Sequence, residues 1–255
     1  MMKVFMERAV LFLHAFPLNS DMYCHQFEAL EKEGIPYVAV DYPGFGKERS
    51  FPSDYTIETL TDLIIGKIKD LGIKKLIPVG DSMGGYIMFD IWRRYPEIVD
   101  GLVFVSTRAE ADTEEAKQSR YATIEKIQKE GKDFLIDFML EAQTSPATKK
   151  YTEKMEKLKC MMKQATEEGI IKALKALADR PDNTGLLPSI NVPTLVVAGK
   201  DDEKVTPPEV VRKIADGIPG AQFVEIENSA HLPPFENPEG FNAVIIKFIK
   251  DLWSG

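Results

Sequence analysis

The stretch Leu76-Ile77-Pro78-Val79-Gly80-Asp81-Ser82-Met83-Gly84-Gly85 sets the architecture of this chain. A short apolar run ends in Gly-Asp-Ser-Met-Gly, and a helical pattern over 86–95 follows. Gly-x-Ser-x-Gly between a strand and a helix is the context of a nucleophile elbow. The turn is so tight that a Cβ two residues to either side of the serine would clash, and glycine at 80 and 84 removes the clash. Such a turn lifts the Ser82 hydroxyl above the sheet and points the next helix N-terminus at it. Backbone N–H groups there can receive a developing oxyanion. Alone, the pattern also fits a strand-to-helix turn around a buried serine, so its surroundings must decide.

Upstream, Ala9-Val10-Leu11-Phe12-Leu13 and Tyr37-Val38-Ala39-Val40 are continuous apolar runs, read as strands buried on both faces. The loops His14-Ala15-Phe16-Pro17 and Asp41-Tyr42-Pro43-Gly44-Phe45-Gly46 end them. Asn19 or Ser20 can cap a helix over 21–32, and Thr56 can cap one over 57–70. Downstream, Leu102-Val103-Phe104-Val105 is the next strand after the elbow helix. Short buried strands alternating with helices predict a doubly wound, mostly parallel α/β sheet. Ligands of such sheets bind at the carboxyl ends of the strands, where the elbow and both loops lie.

From 107 to 186 the pattern changes, with helices following one another and no strand evident. Asp112-Thr113-Glu114-Glu115 is similar to a capping box, opening a helix that Gly131 closes. Ser145-Pro146 reads as an N-cap followed by proline at the first helical position. Residues 107–186 are therefore read as a helical lid inserted into a core formed by 1–106 and 187–255. Lys and Arg balance Asp and Glu within the lid, so the acidic excess lies in the core. Met139, Met155, Met161, Met162, Phe134 and Phe138 are expected mainly to pack lid helices, with some lining an adaptable apolar pocket over Ser82 as the sharper alternative. Strands over 194–199 and 222–226 and helices over 208–216 and 238–253 complete the chain.

The bulk numbers fit one large domain: 255 residues, 44% apolar, 28% charged, net charge −8. That acidity repels nucleic acid, and no basic cluster counters it. Cys24 and Cys160 form neither a disulfide framework nor a Cys-x-x-Cys motif, which suits a reducing cytoplasm. The three histidines, His14, His25 and His231, have no metal-ligand spacing, and no metal is expected. The first eight residues contain no long apolar segment, so neither a signal sequence nor a membrane span is expected. Oligomeric state is not readable.

Ser82, Asp202 and His231 each follow a predicted strand. A serine hydroxyl is a poor nucleophile until a histidine accepts its proton, and a carboxylate fixes that imidazole. His231 is the only histidine in the second half of the chain. His14 precedes the loop that should supply an oxyanion donor and is read as structural. Asp201, Asp202 and Glu203 are consecutive; Asp202 is preferred as the acid, with the other two as alternatives.

On these residues the chain resembles the serine-hydrolase branch of the α/β-hydrolase superfamily over nearly its whole length. The order Ser82, Asp202, His231 is the order of that arrangement. Leu13-His14-Ala15-Phe16-Pro17 resembles its His-Gly-x oxyanion loop, with alanine in place of glycine. Asp41 to Gly46 resembles its Asp-x-x-Gly-x-Gly loop. Gly199-Lys200-Asp201-Asp202 places Asp202 at the usual spacing from glycine, whereas counting back from Pro207 points to Glu203. Ser229-Ala230-His231-Leu232-Pro233, followed by Glu236-Asn237-Pro238-Glu239, resembles the histidine segment. The resemblance implies that the Phe16 and Met83 amides form the oxyanion hole. It is nearest to small carboxylesterases and the 3-oxoadipate enol-lactonases. Few residues precede the first strand, so the family's leading antiparallel hairpin is expected to be shortened or lost.

The expected activity is hydrolysis of small carboxylic esters or lactones through an acyl-enzyme on Ser82, with a small-molecule ester as partner. The alternatives are C–C bond hydrolysis of ring-cleavage products with the same triad and a slow-turnover, receptor-like ligand-binding protein. The superfamily's dehalogenase and epoxide-hydrolase branches use an aspartate nucleophile, against which Ser82 stands. No Walker or dinucleotide fingerprint is present, so no cofactor is implied.

Overall fold

The computed structural model describes residues 7–253. Six strands form one sheet: β1 (Arg8–Leu13), β2 (Tyr37–Val40), β3 (Lys75–Asp81), β4 (Leu102–Val105), β5 (Thr194–Gly199) and β6 (Gln222–Ile226). Their order is β2-β1-β3-β4-β5-β6, and every pairing is parallel. The chain first steps from β1 to β2 on one side, then crosses to β3 on the other. That reversal makes the space between β1 and β3 the switch point of the sheet. Among the described residues no antiparallel strand precedes β1; residues 1–6, on which the expected loss of a leading hairpin also falls, lie outside them.

The period of two along each strand divides the core between two faces. Ala9, Leu11, Leu13, Leu76 and Phe104 belong to one cluster. It packs under α2 (Ile57–Asp70) and α3 (Met83–Arg94), with Val211 and Ile214 further along. Val10, Phe12, Ile77, Val79 and Val103 belong to the other, with Leu30 and, near the chain end, Ile245 and Ile249. Helices thus cover both faces, which is why β1, β4 and β5 read as unbroken apolar runs. Each fully buried Leu, Ile or Val contributes about 1.5–3 kcal/mol.

The first helical segment splits into a 3₁₀ turn at Ser20–Tyr23 and α1 (Cys24–Lys32), with the Asn19 side chain accepting from the Asp21 amide. The elbow helix α3 begins at Met83, three residues before the apolar pattern suggested, because β3 runs through Asp81 straight into the turn.

Between β4 and β5 the chain passes through α4 (Glu114–Glu130), α5 (Asp133–Gln143), α6 (Thr152–Gln164) and α7 (Glu167–Ala178). Thr113 caps α4, and Gly131 closes it. Ser145-Pro146 does not open an α-helix. The Ser145 hydroxyl accepts from the Thr148 amide at 3.1 Å and caps only the 3₁₀ turn Thr148–Lys150. The insertion spans both cores: Ile124, Ile127, Leu174 and Leu177 join the first, and Ile136, Leu158, Met161 and Met162 join the second. At one seam the Thr166 amide donates to the Gly44 carbonyl at 2.7 Å, and a Cβ on Gly44 would come within 2.5 Å of Gly169 Cα. After β5 come α8 (Pro208–Gly217), the short α9 (Pro233–Glu236) and α10 (Pro238–Trp253).

Candidate active site

Ser82 sits between β3 and α3 with φ 51° and ψ −106°. A non-glycine residue held there costs of order 1–3 kcal/mol, and its surroundings must impose it. The Ser82 amide donates to the Val105 carbonyl at 2.9 Å. Its own carbonyl accepts from the Gly85 amide at 3.0 Å and the Thr107 hydroxyl at 2.8 Å. A Cβ on Gly80 would lie 2.5 Å from the Gly84 carbonyl carbon, and one on Gly84 would overlap the Leu13 carbonyl oxygen of β1. The two glycines therefore let elbow and β1 touch backbone to backbone.

His231, in the loop between β6 and α9, is fully buried. Its Nδ1 lies 2.7 Å from Asp202 Oδ2. A carboxylate at that nitrogen fixes the tautomer with the proton on Nδ1 and leaves Nε2 as the acceptor. Nε2 has no hydrogen-bond partner among the described residues, although it is buried. Asp202 also accepts from the amides of Val205 at 3.0 Å and Thr206 at 3.1 Å. Burial works to raise its pKa, but His231 and these two amides outweigh burial and hold it below the ordinary carboxyl value. Of the three consecutive acids only Asp202 turns inward. Asp201 is half-buried, and Glu203 is exposed.

Ser82, Met83, Phe16 and His231 line one cavity of about 180 Å³ at the carboxyl ends of the strands. Ser82 Oγ and His231 Nε2 make no direct hydrogen bond; such pairs often tighten only around a reacting substrate. The amides of Phe16 and Met83 donate to no other group among the described residues. A larger hollow of about 520 Å³ along β2 and the end of α2 brings no nucleophile and base together.

His14 is not in the cavity. It stacks on Tyr42 with ring centroids 3.8 Å apart, its Nδ1 lies 3.0 Å from the Ala15 carbonyl, and its Nε2 accepts from the Tyr42 amide. Burial lowers its pKa to about 4, so it is a neutral structural group at pH 7. His25 lies on α1. Among the methionines and phenylalanines of the insertion only Met139 reaches the cavity; Met161 and Met162 are core, and Phe138 is exposed.

Three features escaped the sequence reading. Gln143, at the end of α5, donates from Nε2 to the Phe16 carbonyl at 2.8 Å, and its own carbonyl accepts from the His231 amide at 3.0 Å. The Glu236 carboxylate accepts from the amides of Ala230 and Leu232, on either side of His231, at 2.8 and 3.1 Å, and from the Ser145 amide at 2.6 Å. The spacing of Glu236 from His231 was visible, but nothing in the sequence said which donors it meets. Third, Arg108, Arg120 and Arg180 also reach the cavity. Beside the nucleophile, Asp81 is fully buried, with neither carboxyl oxygen hydrogen-bonded. Burial first, then the nearby charges of Asp202 and Glu236, push its pKa well above the ordinary value, so it is held as the neutral acid.

A family model described as alpha/beta hydrolase fold matches residues 8–238. A thermophilic esterase from Thermogutta terrifontis, solved with malate bound, is 35% identical with a TM-score of 0.92, covering 97% of this chain and 91% of that one. An "AB hydrolase superfamily protein YisY" of Bacillus subtilis is 29% identical over 94% of this chain and 91% of its own. A 2-hydroxy-6-oxononadienedioate/2-hydroxy-6-oxononatrienedioate hydrolase of Paraburkholderia phymatum is 29% identical over 87% of this chain and 79% of its own. No helix among the described residues is long and apolar enough to cross a membrane.

Proposed function

The chain belongs to the alpha/beta hydrolase fold family, and on that premise we propose that it is a serine hydrolase cleaving small carboxylic esters or lactones through an acyl-enzyme on Ser82. The observation that carries this reading is the Ser82 elbow sharing a cavity wall with the unpaired Nε2 of a histidine whose other nitrogen is held by a buried carboxylate. His231 Nε2 takes the hydroxyl proton as Ser82 Oγ bonds to the carbonyl carbon. The oxyanion forms against the Phe16 and Met83 amides, whose N–H groups are otherwise unspent. The imidazolium, steadied by Asp202, returns the proton to the departing alkoxide. A water molecule then attacks the acyl-enzyme with His231 as base, releasing the acid and restoring Ser82.

Residues 107–186 serve in this reading as a lid subdomain, supported by Met139, Gln143 and the arginines that they bring to the cavity. A cytoplasmic site of action is supported by the free thiols of Cys24 and Cys160, the latter exposed. The second reading, C–C bond hydrolysis with the same triad, is favoured by the identity to the 2-hydroxy-6-oxononadienedioate hydrolases.

The test is hydrolysis of a short-chain p-nitrophenyl ester by the wild type and by folded Ser82→Ala. Turnover lost in the variant is the expected result. Equal rates would remove Ser82 as the nucleophile, and no turnover by either protein would shift the reading to C–C substrates.

A further inference from the structure

Three guanidinium groups line the cavity over Ser82, those of Arg108, Arg120 and Arg180, against the single carboxylate of Asp112. A chain of net charge −8 therefore surrounds its candidate nucleophile with an excess of positive charge. Asp112 is shared between two of the arginines. Arg180 Nη1 donates to Oδ1 at 2.6 Å, and Arg120 donates from Nε to Oδ2. The Arg180 side chain is 1% exposed; it also donates to the Leu177 and Glu110 carbonyls and lies over the Tyr86 ring at 4.3 Å, leaving Nε unpartnered. Arg180 thus closes the two ends of the insertion against each other. Arg108, on the segment leaving β4, makes one hydrogen bond, from Nη2 to the neutral Val205 carbonyl at 2.7 Å. Among the described residues no carboxylate pairs with it, although Asp112 pairs with its two neighbours.

Holding three cations beside one anion at a partly desolvated wall is costly. An incoming anion offsets that cost, and guanidinium groups match a carboxylate through paired N–H donors. A positively lined cleft in an acidic protein also concentrates anions at its mouth. The cavity of about 180 Å³ is smaller than the ~300–1,000 Å³ of drug-sized sites, which limits the occupant to a short molecule.

We propose, resting on the serine-hydrolase reading, that the substrate is a small ester or lactone bearing a free carboxylate, set against Arg108 with Arg120 and Arg180 behind it. The carboxylate can belong to the acyl part or to the alcohol part, and the test separates the two. Monoethyl succinate carries it on the acyl side and O-acetylglycolate on the alcohol side. Ethyl succinamate and O-acetylglycolamide are their neutral counterparts.

For the wild type, kcat/KM of the anionic member should exceed that of its amide by about tenfold or more in one of the two pairs, an ion-pair-sized discrimination. Arg108→Gln should cut that ratio by about tenfold, and Arg108→Lys should retain part of it. Lys129→Gln removes an exposed charge from α4 and should leave the ratio as in the wild type. Succinate binding to Ser82→Ala, measured by calorimetry against succinamide, gives a readout independent of turnover. It should weaken by about tenfold or more with Arg108→Gln added. Ratios near one in both wild-type pairs, or a ratio and succinate affinity indifferent to Arg108, overturn the proposal. Succinate binding that depends on Arg108 with no ester turned over keeps the anionic pocket and defeats the hydrolase reading. Ester turnover through Ser82 with no anion preference does the reverse.

Discussion

Replacing Glu236 with glutamine tests whether the base loop is held as the structure implies. The two carboxylate oxygens accept three backbone N–H groups: Oε1 takes Ala230 and Leu232, and Oε2 takes Ser145. A glutamine offers only one acceptor oxygen. Its best placement keeps the pair around His231 and turns an NH₂ group towards the Ser145 amide, donor against donor. One bond to a charged acceptor is then lost, about 1.5–3 kcal/mol, and a buried amide is stranded. The surviving two drop from charge-assisted to neutral, which roughly halves them. Together the loss is about 3–5 kcal/mol, or roughly 6–15 °C in Tm for a domain of this size. Because the loosened loop carries His231, kcat should fall at temperatures where the variant is folded, with KM moving little. Thermal unfolding and steady-state kinetics of Glu236→Gln beside Glu227→Gln make the comparison. Glu227 pairs only with exposed Lys200 at 2.6 Å, a contact worth about 0–1 kcal/mol. If Glu236→Gln matches Glu227→Gln in both Tm and kcat, the assignment of Glu236 as a positioning residue is wrong.

Asp202→Asn should lower kcat about 10³–10⁴-fold, while Asp201→Asn keeps most activity; the opposite pattern in ester hydrolysis would move the acid by one residue. Asp81 gives a stability prediction with a definite sign. Its folded-state pKa is raised, so the unfolded chain releases a proton near 3.8 that the folded chain retains. The associated stability is full below that value and is lost as pH rises above it. Asp81→Asn should therefore gain Tm over the wild type at pH 8 and lose that advantage towards pH 4; a difference constant with pH would contradict the neutral acid. Gly84→Ala should cost about 3 kcal/mol or more, because its Cβ meets the backbone of β1, which cannot yield. Gly66→Ala, with open space around it in α2, should instead stabilise by about 0.4–1 kcal/mol in the same denaturation experiment.

The parallel sheet was legible because strands covered on both faces cannot alternate. Val10 and Phe12 serve one core while Leu11 and Leu13 serve the other, and the run reads as apolar throughout. Ser82 and His231 could be singled out because each directly follows such a run. The acid was harder, since 201, 202 and 203 carry the same chemistry and differ only in the direction that the chain turns after β5. The Ser145-Pro146 misreading has a similar cause: a serine hydroxyl caps a single 3₁₀ turn with the same bond that starts a helix. Gln143, Glu236 and the arginine wall were invisible for another reason. Their partners lie 68 to 127 residues away in sequence, and which side chains meet there depends on how α4 to α7 lie across the sheet.

Gln143 joins two loops that the sheet keeps apart, one leaving β1 near the middle and one leaving β6 at the edge. The residue that does so belongs to the inserted helices, not to the sheet. Substrate choice and reaction rate are consequently not separable modules in this protein. Remodelling α5 to admit a different molecule would also shift the spacing between the Phe16 loop and the His231 loop. A helical insertion grafted from a relative would have to supply its own residue able to grip a carbonyl and an amide at once. Without one, the graft would change what enters the cavity and, in the same stroke, slow what happens there.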